Sequence, residues 1–129
     1  MADVNRGNRP LSPFMLGQYY RPQLNSVTSI LTRITGNALI LAGLLITWWL
    51  VAAAAGPGAF GVADAVLTSW FGDLVMFLSL WALWYHTLAG LRHLYWDTGR
   101  GFSLDMVQKL GWGVIGGSVV LTILTALIV

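Results

Sequence analysis

Residues 34–55 read ITGNALILAGLLITWWLVAAAA, 22 residues with no acidic or basic side chain. A helix of that length, at about 1.5 Å per residue, crosses the roughly 30 Å hydrocarbon core of a bilayer. The polar residues Asn25, Ser26, Thr28 and Ser29 offer N-caps, which predicts a first span over about 28–55. Before it, residues 1–27 carry Arg6, Arg9, Pro10, Pro13, Arg21 and Pro22, the composition of an irregular interfacial arm that Tyr19 and Tyr20 anchor at headgroup level. The run is too long for the apolar part of a signal peptide, and the leader is neither serine-rich nor extended like a transit peptide.

Composition extends this to the whole chain. With 57% hydrophobic residues, 9% charged and a mean hydropathy of +0.71, the 129 residues are far from a soluble domain, in which about 25% are charged. After Gly56-Pro57-Gly58 a short loop carrying Asp64 is expected, then a second span over about 67–95 that crosses with Leu74 to Leu91. Thr98-Gly99-Arg100-Gly101 ends it, Ser103 caps a short helical re-entry, and a third span is expected over about 106–129. The predicted architecture is all-α, an arm over 1–27 and a three-helix transmembrane domain over 28–129.

The seven Lys and Arg residues alternate by side: four before or at the start of the first span, none in the next segment, three (Arg92, Arg100, Lys109) in the following one, none at the end. The positive-inside rule then puts the N-terminus in the cytoplasm and the C-terminus outside. No basic run exists, so the net charge of +2 concerns topology, not nucleic acid. With no cysteine, the chain forms no disulfide and offers no thiolate to zinc or an iron–sulfur cluster. A bacterial inner membrane fits this arrangement better than a mitochondrial one.

Chemistry concentrates in Tyr85–Asp97, YHTLAGLRHLYWD, which holds both histidines. Ionisable groups in a span usually face a cavity, a cofactor or a partner. His86, Gly90, His93 and Asp97 follow i, i+4, i+7, i+11 and share one helical stripe. Gly90 leaves room for a flat group one turn from His86, which suits a haem; a core histidine bonded to a neighbouring helix is the alternative. Seven residues separate the histidines, about 10 Å along the axis, so they cannot be opposite ligands of one iron. A six-coordinate haem therefore needs a second chain.

Ser29 and Arg33 form a second pair, one turn apart. A hydroxyl beside a permanently charged guanidinium suits a quinone carbonyl that gains electron density on reduction, or a propionate; otherwise Arg33 only snorkels to lipid phosphate. Gly113 and Gly117 make a GxxxG in the third span, suited to helix packing or to a partner. Of seven tryptophans, Trp96 alone stands beside the charged stretch.

Residues 9–39, RPLSPFMLGQYYRPQLNSVTSILTRITGNAL, resemble the opening of the cytochrome b556 membrane-anchor subunits of succinate dehydrogenase, roughly RP-SPHL--Y-P-----SILHRITG. HTLAGLRHLYWDTG, residues 86–99, resembles their H---G-RHL--D-G signature. The resemblance implies that His86 is an axial ligand of haem b iron, with the other ligand from a second anchor subunit. It implies that Ser29 and Arg33 help form a ubiquinone site beside the iron–sulfur subunit, Arg33 being shared with a haem propionate. His93, with Arg92 and Asp97, would be structural or propionate-directed. The flavoprotein subunit would oxidise succinate, so no catalytic residue for that step is expected here. Thr32 and Phe14 stand where the family often has histidine. A fumarate reductase anchor is the alternative within the family. Outside it stands a small transporter or assembly protein using Arg33 and Asp97, which leaves the histidine–glycine stripe unexplained and shows no inverted repeat.

Overall fold

The computed structural model describes residues 20–129. The arm's Arg6, Arg9, Pro10, Pro13, Phe14 and Tyr19 lie outside the described residues. The remainder folds into four helices, α1 Leu24–Ala55, α2 Pro57–Leu67, α3 Trp70–Asp97 and α4 Leu104–Ile128, and contains three candidate membrane spans: α1, α3 and α4. In their most apolar 18-residue windows only 11%, 17% and 22% of residues are buried, so most apolar side chains face outward. Such a surface is stable only against lipid or another apolar chain. The chain is an all-helical membrane protein.

α1 begins earlier than its polar residues suggest. Ser26 Oγ accepts from the Gln23 amide at 2.9 Å, so the cap lies at Gln23 and Thr28 and Ser29 fall inside the helix. Buried threonine hydroxyls bond to carbonyls of their own turns, as Thr35 does to Leu31, which satisfies them within an apolar segment. The expected loop after Gly56 is instead α2. Gly56 takes φ of 120°, a conformation side-chain-bearing residues avoid, and Pro57 then occupies the first helical turn, where its missing N–H costs nothing. The proline ends one helix by starting the next. α2 packs back on α1: Trp49 Nε1 donates to Asp64 Oδ1 at 3.3 Å and the Trp49 and Phe60 rings sit 5.4 Å apart.

α3 is capped by Ser69 Oγ, which accepts from the Gly72 amide at 3.1 Å, and α4 by Ser103 Oγ, which accepts from Met106. The Ser103 helix is continuous with the third span. α3 runs antiparallel to α1 and to α4, since Thr28 meets Arg92, Trp84 Nε1 donates to Thr125 Oγ1 at 3.0 Å, and Leu88 meets Gly117. The core is small: Tyr85, Ala89 and Val114, with Leu31, Trp81, Leu88 and Ile115 against them. Of the expected GxxxG pair, Gly117 packs on Leu88, where an added methyl would lie 3.1 Å away, while Gly113 opens on space. Gly111 is the second packing glycine, closed against Leu24 and Arg92.

Candidate functional site

Two stripes run side by side on α3. Tyr85, Ala89 and Arg92 point inward and are buried; His86, Gly90 and His93, each one residue later, turn about 100° away toward the flank of α1 and the outside. Tyr85 Oη donates to the Thr28 carbonyl at 3.0 Å. Next to it, His86 Nδ1 lies 3.1 Å from the Thr32 carbonyl. These carbonyls are one turn apart and immediately precede Ser29 and Arg33. Two α3 side chains thus fix the turn of α1 that carries the second pair.

The Thr32 bond limits the chemistry open to His86. A carbonyl only accepts, so in the neutral ring Nδ1 carries the hydrogen and Nε2 keeps its lone pair. Thr35 Oγ1, 3.4 Å from Nδ1, already gives its own hydrogen to Leu31 and can only share the same donor. Among the described residues nothing hydrogen-bonds Nε2. Gly36 sits under the ring: a methyl there would be 3.0 Å from Cε1. One turn along α3, a methyl at Gly90 would meet nothing within 4 Å. An imidazole oriented through Nδ1, with a bare Nε2 and an open glycine one turn away, fits a haem iron ligand; the outer bond is the usual device that fixes ring and tautomer. The histidine is also bonded to a neighbouring helix, so its two sequence-based readings are compatible.

The structure places the other expected residues around this pair. His93 lies on the His86 stripe, exposed, with Nδ1 2.7 Å from the Ala89 carbonyl of its own helix and its ring edge-on to Trp96. Ser29 and Arg33 are exposed, one turn apart, and neither pairs with a side chain among the described residues. Thr32 gives its hydroxyl hydrogen to the Thr28 carbonyl at 2.8 Å, so that hydrogen is not free to reach a group outside α1. Asp97 is exposed at the end of α3. At the opposite end of the bundle, a cleft of about 380 Å³ lined by Ile46, Trp49, Asp64, Leu67, Thr68 and Met76 contains neither histidine nor arginine.

Residues 5–125 match the model of the succinate dehydrogenase/fumarate reductase transmembrane subunit family. The chain belongs to this family. It is 56% identical over 128 residues to the succinate dehydrogenase cytochrome b556 subunit of Paracoccus denitrificans, covering 99% of this chain and 97% of that one. The Rickettsia conorii protein of the same name is 38% identical over 116 residues, 90% of this chain and 89% of its own. A succinate dehydrogenase cytochrome b560 subunit from Reclinomonas americana is 31% identical over 126 residues, 94% and 86%.

One residue of this family member's second signature is far more buried than its charge suggests. Arg92 is 5% exposed. Its Nη1 donates to Thr28 Oγ1 at 3.2 Å, its guanidinium lies 4.8 Å over the Trp96 ring, and its Nε, like Trp96 Nε1, is buried without a partner among the described residues. A signal for this was present: Tyr85, Ala89, Arg92 and Trp96 repeat the histidine stripe's spacing one residue earlier.

Proposed function

We propose that the chain is the haem b-bearing membrane anchor of a bacterial succinate dehydrogenase, lodged in the inner membrane with its N-terminus in the cytoplasm. It binds a second anchor subunit and an iron–sulfur subunit that docks the flavoprotein, and it helps pass electrons from the iron–sulfur subunit to ubiquinone, in the respiratory chain and the tricarboxylic acid cycle. The carrying observation is His86, tied through Nδ1 to Thr32 and open at Gly90, in a chain whose near-full-length relatives bear the name cytochrome b556 subunit. That shared name favours succinate oxidation over the fumarate-reducing direction. The alternation of Lys and Arg supports the orientation, since contacts of Thr28 with Arg92 and of Leu24 with Gly111 gather the basic ends at one end of the bundle. A reporter fused after Val129 should then read as outside.

His86 would hold the iron through Nε2, and a second anchor subunit would supply the remaining protein ligand. When bound, the haem would supply a one-electron store. The chain's own residues do the rest. Ser29 donates a hydrogen bond to one quinone carbonyl, and Arg33 stabilises the negative charge that builds on it as two electrons arrive from the iron–sulfur subunit. Two protons from the cytoplasmic side complete the quinol. Arg33, and with it His93, would also hold a haem propionate.

A dithionite-reduced minus oxidised spectrum of the purified complex tests the proposal. A sharp b-type α-band that disappears in His86→Ala is the expected result. A band unchanged in His86→Ala overturns the ligand assignment.

A further inference from the structure

Ser29 and Arg33 lack side-chain partners among the described residues, and the azimuth of α1 sets where they point. Beside the His86–Thr32 contact, what sets that azimuth is Thr28, wholly buried one residue before Ser29. Its carbonyl accepts from Tyr85 Oη at 3.0 Å, and its Oγ1 accepts from Arg92 Nη1 at 3.2 Å while donating to the Asn25 carbonyl at the same distance. Tyr85 is 0% exposed and Arg92 5%. Gly111 of α4 closes the back, its bare Cα leaving room for Leu24 and for Nη1, which lies 3.9 Å from where a methyl would sit.

A buried guanidinium with one hydrogen bond among the described residues is a costly way to join two helices that apolar packing would join as well. What it and the phenol provide is direction. Successive helical residues are 100° apart, so a fixed inward Thr28 fixes where Ser29 points and, one turn on, where Arg33 points. Without the two bonds the turn would be held by the His86–Thr32 contact alone, on a face whose buried side chains, Thr28, Thr35, Ala42 and Ala52, are small and resist rolling little.

We infer that Tyr85 and Arg92 are positioning residues of the quinone site, acting through Thr28 to aim Ser29 and Arg33. The inference rests on the quinone reading above. It is tested in the whole complex with a short-chain ubiquinone analogue, comparing Tyr85→Phe, Ser29→Ala and the double variant. Tyr85→Phe should raise KM for the quinone about fivefold while haem content and the α-band stay at wild-type levels. In the Ser29→Ala background the same change should have less effect, because only the part that acts through Arg33 remains. Thr28→Val, which leaves the phenol bond and removes the Arg92 acceptor, should reproduce the KM rise and serves if the tyrosine variant fails to assemble. An unchanged KM in assembled Tyr85→Phe and Thr28→Val, with Ser29→Ala impaired, overturns the positioning role and leaves the quinone site standing. Equal, additive effects of Tyr85→Phe and Ser29→Ala also overturn it. If Ser29→Ala and Arg33→Ala both leave quinone kinetics untouched, the quinone reading itself has failed.

Discussion

His86 Nδ1 lies 3.1 Å from the carbonyl oxygen of Thr32, the residue immediately before Arg33 on the facing helix. One bond therefore orients the candidate iron ligand and ties it to the turn that bears the candidate quinone cation. Replacing His86 by alanine removes the ligand and this tie together, so the b-type band is lost and the complex loosens in detergent. His86→Gln is the sharper variant: its amide can still donate to Thr32, so assembly should survive while the band does not. Optical spectra and gel filtration of the two variants check this.

The ring of His86 packs on Gly36, while Gly90, one turn along α3, faces open space. At Gly36 an added methyl falls 3.0 Å from Cε1, tighter than ordinary contact, and the ring cannot retreat without stretching the Thr32 bond. Gly36→Ala should cost about 1–3 kcal/mol, the usual range for overpacking, and shift the reduction potential of the haem. Gly90 has free space, so alanine there should be tolerated and should favour the helix by about 1 kcal/mol. Gly90→Leu instead fills the gap and should abolish haem incorporation without loss of helicity. Haem content per complex and redox titration separate these outcomes.

Arg33 is exposed on α1, so removing it leaves the bundle intact. A hydrogen bond to a charged group contributes about 1.5–3 kcal/mol, and tenfold corresponds to about 1.4 kcal/mol. Arg33→Ala should thus lower kcat/KM for the quinone about tenfold to a hundredfold. Succinate oxidation by a dye that takes electrons from the peripheral subunits is the control for assembly. Arg33→Lys should recover part of the loss, because the charge remains and the planar fork does not. Steady-state kinetics with both acceptors reads the difference.

A feature is legible in the sequence when it depends only on residues near one another in the chain. The spans are a property of uninterrupted apolar length, visible in Ile34–Ala55 before any packing is known, and the His86–Gly90–His93 stripe is pure helical spacing. α2 was hidden because Gly56-Pro57-Gly58 reads as a break, and a proline that ends one helix is chemically the same as one that begins the next. The stripe Tyr85, Ala89, Arg92 and Trp96 hints that Arg92 turns inward, but the partner of a charge is decided by what lies opposite it; no local feature says that Thr28, 64 positions away, offers it an oxygen. The GxxxG misled in the same way. Small residues permit close approach, and only the partner helix decides that Gly111 and Gly117 are used while Gly113 is not.

The elbow between α2 and α3 gives the least forgiving position in the chain. Ser69 caps α3 through the Gly72 amide, which draws the first turn of α3 onto the last carbonyls of α2, and a methyl at Gly72 would overlap the carbonyl oxygens of Val66 and Leu67. Those atoms are backbone, so no rotamer change relieves the overlap. Either the Ser69 cap opens, at a cost of about 1 kcal/mol, or α2 swings away from α1 and breaks the Trp49–Asp64 bond. Gly72→Ala should accordingly destabilise the subunit far more than Gly58→Ala, where an added methyl meets nothing within 4 Å. Thermal release of haem from the two variants measures it: Gly72→Ala should lose the band at a temperature several degrees lower, and equal temperatures would mean that the elbow is looser than this packing requires.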